Sequence, residues 1–267
     1  MKRKENYAHV TGGTSGIGYE LVKLLAADGY NLIIVARHEN DLIRVANEIK
    51  DNHDVDVILI AKDLFDTENA FDLYNQVKTK NILVEILIND AGQGVYGEFI
   101  DTDLRRELDI IHLNISSVVI LTKLFLKEMV ERKHGRIMNV SSIASKIPGP
   151  WQSVYHGTKA FVQSFTEAIR SEVKDTGVTI TALLPGATDT DFFNKADMQE
   201  SKLVQEEKLD DAAGVAKDGY EAMMSGEDKV ISGWKNKMQV AMANVTPDSA
   251  AADKMKKQQA PKGYDSQ

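Results

Sequence analysis

Short apolar runs alternate with longer amphipathic stretches along most of this chain, and few folds accommodate that order. Runs at residues 7–10, 32–36, 55–61, 84–89, 136–140 and 178–184 have strand length, with a weaker seventh at 229–231. Between them, segments 17–28, 39–50, 67–78, 103–132 and 152–176 read as helices. Strand, helix, strand, repeated, requires parallel strands joined by crossover helices. The run Leu32-Ile33-Ile34-Val35-Ala36 shows no polar alternation, as befits a strand covered on both faces. The expected fold class is α/β: a doubly wound parallel sheet of about seven strands with helices on both faces. No repeat period and no linker divides the chain, so a single domain is expected over 1–245.

A length of 267 residues suits one such domain. Hydrophobic residues at 43% and charged residues at 27% exclude a disordered or collagen-like chain. Lys and Arg total 32 against 40 Asp and Glu, and the net charge of −8 argues against non-specific nucleic-acid binding. The lack of cysteine removes disulfides, thiolate catalysis and Cys-based metal sites. His112 and His156 have no His or carboxylate partner at ligand spacing, so no metal is expected and both are expected to be incidental. The opening Met1 to Asn6 is basic, but no long apolar run follows it. No stretch approaches the ~18 uninterrupted apolar residues of a membrane span, and a soluble cytoplasmic protein is the expectation.

Two regions depart from the alternation. Segment 187–208 is polar, with scattered Phe192, Phe193, Met198, Leu203 and Val204. It follows the sixth strand, where an open α/β sheet places its ligand crevice, and it is expected to be a mobile lid over the substrate. The tail 246–267 is polar and is expected to add little to the core.

Thr11-Gly12-Gly13-Thr14-Ser15-Gly16-Ile17-Gly18 follows the first strand and opens the first helix. Glycines there permit unusual backbone angles, let the backbone approach a phosphate, and allow helix to pack closely on strand. The helix N-terminus then points free N–H groups at the phosphates, and Thr14 and Ser15 add hydroxyl donors. The spacing T-G-x-x-x-G-x-G resembles that of the short-chain dehydrogenase/reductase family, in its shorter, single-domain branch. The resemblance extends over about residues 6–245 and implies a Rossmann-like, dinucleotide-binding catalytic domain.

The resemblance also implies the cofactor. An NAD site needs an acid at the end of the second strand to accept hydrogen bonds from the adenosine ribose. That position is Ala36, followed by Arg37 and His38. An Arg there can pair with a 2′-phosphate, so NADP(H) is expected. Asp63-Leu64 resembles the adenine-contacting pair. Asn89-Asp90-Ala91-Gly92 resembles the family's Asn-Asn-Ala-Gly, with Asp90 replacing the second Asn and adding negative charge near the ribose. Pro185-Gly186, with Ala187 or Thr188 and with Thr190, is implied to contact the nicotinamide end.

Tyr155 and Lys159 stand four residues apart and share a helix face. An ammonium beside a phenol favours phenolate and is expected to lower the tyrosine pKa from about 10. Tyr155 can then exchange a proton with a carbonyl/alcohol pair. Ser142 lies thirteen residues before Tyr155, the family's spacing, and is implied to orient the substrate oxygen; Ser141 is its chemical rival. Asn114 matches the family's helix Asn, implied to hold a water next to Lys159. The expected function is NADP(H)-dependent interconversion of a small apolar carbonyl compound and its alcohol. The alternative is a catalytically silent, dinucleotide-binding regulator or scaffold. A homo-oligomer, dimer or tetramer, is expected from the long helices at 103–132 and 152–176, with Leu121, Leu124, Phe125, Phe161, Phe165 and Ile169 as candidates for the interface.

Overall fold

The computed structural model describes residues 6–264; the basic opening at 1–5 lies outside the described residues. Seven parallel strands form one sheet. They are β1 (Asn6–Thr11), β2 (Asn31–Ala36), β3 (Val57–Ala61), β4 (Leu83–Asn89), β5 (Gly135–Val140), β6 (Val178–Leu184) and β7 (Lys229–Ile231), ordered β3-β2-β1-β4-β5-β6-β7. The doubly wound parallel sheet expected from the sequence is therefore present, including the weak seventh strand.

The unbroken apolar runs divide between two cores because successive residues of a strand point to opposite faces. Leu32 and Ile34 pack with Ala8, Val10, Leu21, Leu25, Val45 and Met223 on one face. Ile33 and Val35 pack with Leu73, Val77, Leu121, Phe125 and Met129 on the other. The first core is roofed by α1 (Gly16–Ala27), α2 (Glu39–Asn52) and a later helix over Ala212–Ser225; the second by α3 (Thr67–Thr79) and the long helix described next. Each such side chain contributes roughly 1.5–3 kcal/mol when fully buried.

The predicted helix at 103–132 is continuous but carries a π-helical turn within it. Asp103 caps it by accepting from the backbone N–H groups of Arg105 (2.8 Å) and Arg106 (3.0 Å). It runs as α4 (Leu104–Ile111), passes through a π-helical turn at His112–Ser116, and continues as α5 (Ser117–Glu131). By length and composition this continuous helix could cross a membrane, which the count of uninterrupted apolar residues did not register. Its Leu113, Leu121, Phe125 and Met129 are instead spent on the sheet. Leu121 and Phe125, two of the interface candidates, thus belong to the core of the monomer.

The second half closes over the sheet's carboxyl edge. After α6 (Ser153–Val173), the segment 187–208 contains α7 (Phe192–Lys195) and α8 (Lys202–Glu206). This polar segment supports a small core of its own: Phe193, Ala196 and Met198 are buried, with Tyr96, Leu203 and Val204 packed on them. The Ala212–Ser225 helix is α9, followed by α10 (Trp234–Ala243) and α11 (Asp248–Gln259). The tail therefore departs from its expectation. Small and thioether residues placed among the lysines, Ala251 and Met255, give α11 a narrow apolar stripe that packs on Ile147. The Tyr96 hydroxyl donates to the Gln259 carbonyl at 2.6 Å, and the Tyr264 ring meets Trp151 edge-on.

Candidate active site

The chain reverses its winding direction between β1 and β4, and in open α/β sheets ligands bind at such a switch point. A cleft of about 670 Å³ opens there along the strands' carboxyl ends. Thr11 ties the two strands: its hydroxyl accepts from the N–H groups of Asp90 and Ala91, each at 3.2 Å. The glycine turn crosses directly above. Gly12 (φ +75°) lies so close to Ala91 that a Cβ would sit 3.0 Å from its backbone, and a Cβ on Gly18 would meet the Gly12 carbonyl at 2.5 Å. Gly16 (φ +55°) faces Thr190, whose methyl would be 2.8 Å from an added Cβ. The turn thus presents bare backbone at the start of α1, with Thr14, Ser15, Gly16 and Ile17 lining the cleft.

At the adenosine end, Ala36, Arg37, His38, Asp63 and Leu64 border the cleft, and the Arg37 guanidinium lies 5.3 Å from the centre of the Phe65 ring. Sequence reasoning missed a second arginine: Arg44, on α2, donates to the Thr14 carbonyl at 3.0 Å and lines the same end. Its signal is faint, since an arginine one helical turn and a half into α2 reads as a solvated face.

Two expected contacts are displaced. Asn89 does not face the cleft; it is buried, and its amide donates to Asn139 Oδ1 (2.8 Å) and Thr122 Oγ1 (3.1 Å), joining β4 to β5 and α5. Gly18 is buried beneath Asp90 and serves packing. Ala91 and Gly92 do line the cleft, as do Pro185, Gly186, Thr188 and Thr190. Gly186 is required by Asn236, which would meet an added Cβ at 2.4 Å.

At the other end, Ser142, Tyr155 and Lys159 converge. Ser141 and Ser142 both border the cleft, but Ser141 Oγ donates to the Lys159 carbonyl at 2.8 Å, which separates it from its rival. Ser142 lines the cleft and accepts from the Ala144 N–H at 3.1 Å. Lys159 Nζ stands 5.8 Å from the Tyr155 ring centre and donates to the Val140 carbonyl at 2.8 Å. Asn114 sits in the π turn, which aims its amide inward. It accepts from the Gln93 N–H (3.1 Å) and donates to the Gln93 carbonyl (2.9 Å) and Thr158 Oγ1 (3.0 Å), clamping the β4 loop to α6.

The electrostatics correct one expectation. Burial pushes the Tyr155 phenol up to about 12, with the Ser142 hydrogen bond acting the other way. Burial likewise lowers Lys159 to about 8, opposed by the Asp90 carboxylate. Both groups line the cleft, Tyr155 half-buried and Lys159 buried, and the cost of desolvating a phenolate is the dominant influence on Tyr155. The shift of Tyr155 is therefore upward, opposite to the expectation from its spacing to Lys159.

Aromatic side chains close this end. Phe192 lies 5.0 Å from Tyr155 between ring centres, while Phe193 turns into the small core of segment 187–208. Trp151 adopts φ +72°, an uncommon conformation for a bulky residue, and stacks on Tyr96 at 5.7 Å. His156 is not incidental: Nδ1 meets the Ile147 carbonyl at 2.7 Å and Nε2 meets Gln259 Nε2 at 3.2 Å. It pins the 147–152 loop and the C-terminal helix to α6, and Gly149 leaves room for its ring.

The family profile described as short chain dehydrogenase matches residues 6–201. The very-long-chain 3-oxoacyl-CoA reductase of Rattus norvegicus is 33% identical over 192 residues, 68% of this chain and 59% of that one. The chain thus spans about three fifths of the length of these relatives. An uncharacterized oxidoreductase of Staphylococcus epidermidis is 28% identical over 79% of this chain and 90% of its own. A short-chain dehydrogenase from Sphingobium yanoikuyae in complex with NADPH shares the fold, with TM-score 0.80 at 23% identity over 91% and 96% of the two chains. With the profile matching most of its length, the chain belongs to the short-chain dehydrogenase/reductase family.

Proposed function

We propose that this protein is an NADP(H)-dependent oxidoreductase that interconverts an apolar carbonyl compound and its alcohol. The observation that carries this reading is the convergence of Ser142, Tyr155 and Lys159 at the end of a cleft whose other end holds bare glycine backbone and two arginines. The cleft fits a dinucleotide: Gly12 and Gly16 leave space where any Cβ would intrude, and the start of α1 offers N–H donors. When bound, the nicotinamide supplies or accepts the hydride. Tyr155 donates its proton to the substrate oxygen, and Ser142 fixes that oxygen by hydrogen bonding. Lys159 bears the nearest cationic charge to the phenol. Asn114 positions the Gln93 loop and α6 against each other, and Phe192 excludes water from the reaction centre.

The name of the rat relative supports a 3-oxoacyl thioester as a second substrate reading. A ketone series run beside 3-oxoacyl thioesters of matched chain length distinguishes the two.

Cofactor choice rests on Ala36, Arg37 and Arg44. A charge-assisted pair to an exposed arginine contributes roughly 1–3 kcal/mol. Arg37→Ala is accordingly expected to raise KM for NADPH about tenfold or more while leaving KM for NADH nearly unchanged. Equal efficiency with NADH and NADPH in the wild type would refute the NADP assignment.

We propose further that the α4 and α6 faces pair two copies of the chain. Leu104, Leu108 and Phe161 are exposed there, and Phe161 stacks on Phe165 at 5.8 Å. Sedimentation of the wild type is expected to give at least a dimer mass, and Phe161→Glu is expected to shift it to the monomer. A monomeric wild type at micromolar concentration refutes the pairing.

A further inference from the structure

Beside the catalytic cleft, α10 and α11 enclose a second groove of about 340 Å³. Its walls are Trp234, Met238, Met242, Ala251 and Met255, with Ile147 where it meets the cleft; Ile147, Lys235, Gln239, Met255 and Gln258 border both spaces. No Asp or Glu lines it, and its only charges are Lys235 and Lys254, whose methylene stems can lie along apolar surface with the ammonium in water. Trp234, Met238 and Met242 are more than half exposed, an apolar strip on a chain with net charge −8. All the helical residues of the groove lie beyond the 6–201 family match, so it is a feature of this chain's own C-terminal segment.

We infer that this groove receives an unbranched aliphatic chain attached to the carbonyl that is reduced at Tyr155. The inference rests on the reduction reading above and names its substrate class. Three observations favour this occupant. The groove adjoins the reaction cleft across a common border of Ile147, Lys235, Gln239, Met255 and Gln258, over which a chain extending from the carbonyl reaches it. Three of its walls are methionines, whose flexible thioethers adapt to a chain without a fixed shape. Its polar groups, Gln239, Gln258 and Thr246, are few and do not form the convergent set that a rigid polar ligand requires.

The test is a series of 2-alkanones of about four to fourteen carbons, reduced with NADPH by the wild type, Met238→Asp and Met242→Asp; each added methylene is expected to lower KM about threefold until the groove is filled. Both methionines are exposed, so the variants are expected to fold, which circular dichroism checks. Each variant is expected to raise KM at least tenfold for the longest ketones and to leave the shortest unchanged. Binding is read independently of turnover by quenching of Trp234 fluorescence with a bromine-terminated long-chain 2-alkanone. Quenching is expected to saturate in the wild type and to fall away in Trp234→Phe.

A KM independent of chain length, an equal effect on short and long ketones, or no saturable quenching overturns the inference; continued reduction of short ketones then leaves the reduction reading standing. Saturable quenching with no reduction of any ketone overturns both the reduction reading and the assignment of the groove to its substrate. A changed sedimentation mass or lost vesicle binding in Met242→Asp, without a chain-length effect, makes the strip an interface for a second copy or a lipid surface and also overturns it.

Discussion

Replacing Tyr155 with phenylalanine is expected to lower turnover by roughly 10²–10⁴-fold, the span of a general acid's contribution, while NADPH binding stays close to wild type. The substitution removes one oxygen and keeps the ring. The ring's 5.0 Å contact with Phe192 therefore survives, and with it the closed end of the cleft. What disappears is the phenol that lines the cleft beside Ser142 and Lys159. Burial pushes that phenol up to about 12, which favours the protonated form that a proton donor requires. Lys159 directs one of its three N–H donors to the Val140 carbonyl at 2.8 Å and stands 5.8 Å from the Tyr155 ring centre. Turnover is measured with a ketone panel and binding by quenching or enhancement of nucleotide fluorescence. A Tyr155→Phe enzyme with near-wild-type kcat would remove Tyr155 from the chemistry. Loss of NADPH binding along with activity would mean that the phenol shapes the nucleotide site.

Much of this was legible because local pattern and global fold agree. Leu32 to Ala36 can only be a two-sided buried strand, and the glycine turn can only sit where Cβ atoms would collide with Ala91 and Thr190. Positions set by long-range packing were not legible. Asn89 reads as a cofactor contact from its neighbours Ala91 and Gly92, yet the sheet's period of two turns it inward to Asn139 and Thr122. The π turn at His112–Ser116 leaves no compositional trace, since the buried Asn114 within it bonds Gln93 and Thr158, which are distant in sequence. The tail misled for a similar reason. Lysine and glutamine dominate its composition, whereas its fold depends on Ala251, Met255 and Gln259 at the few buried positions of α11. The tyrosine pKa ran opposite to expectation because sequence spacing reveals a neighbouring charge but not how far the fold desolvates the phenol.

Asp90→Asn is expected to stabilise the protein near pH 7.5 and to change little near pH 4. Burial lifts the Asp90 carboxyl to about 7, against the opposing pull of Lys159 and the Gly18 N–H. In the unfolded chain the same group titrates near 3.8. Between those values the folded protein binds the proton more tightly, so stability is full below about pH 4 and is lost as pH rises through 7. A shift of about three units corresponds to a penalty on the order of 4 kcal/mol once complete, part of which remains in the variant as the desolvation of Lys159. His9 tilts the other way. Fully buried in β1 against Phe125, it is held near 4 by desolvation instead of 6.5, so the unfolded state gains the proton first and stability falls as pH drops from 6.5 to 4. In the wild type these slopes oppose each other between pH 4 and 6.5. Asp90→Asn removes one of them. Its urea midpoint, measured without added nucleotide at pH 4.5, 6 and 7.5, should therefore climb more steeply with pH than that of the wild type, with an unchanged m-value. A variant whose gain is the same at all three pH values, or that shows none at 7.5, would mean that Asp90 is ionised at little cost in the fold. The replacement of the family's second Asn would then be electrostatically silent.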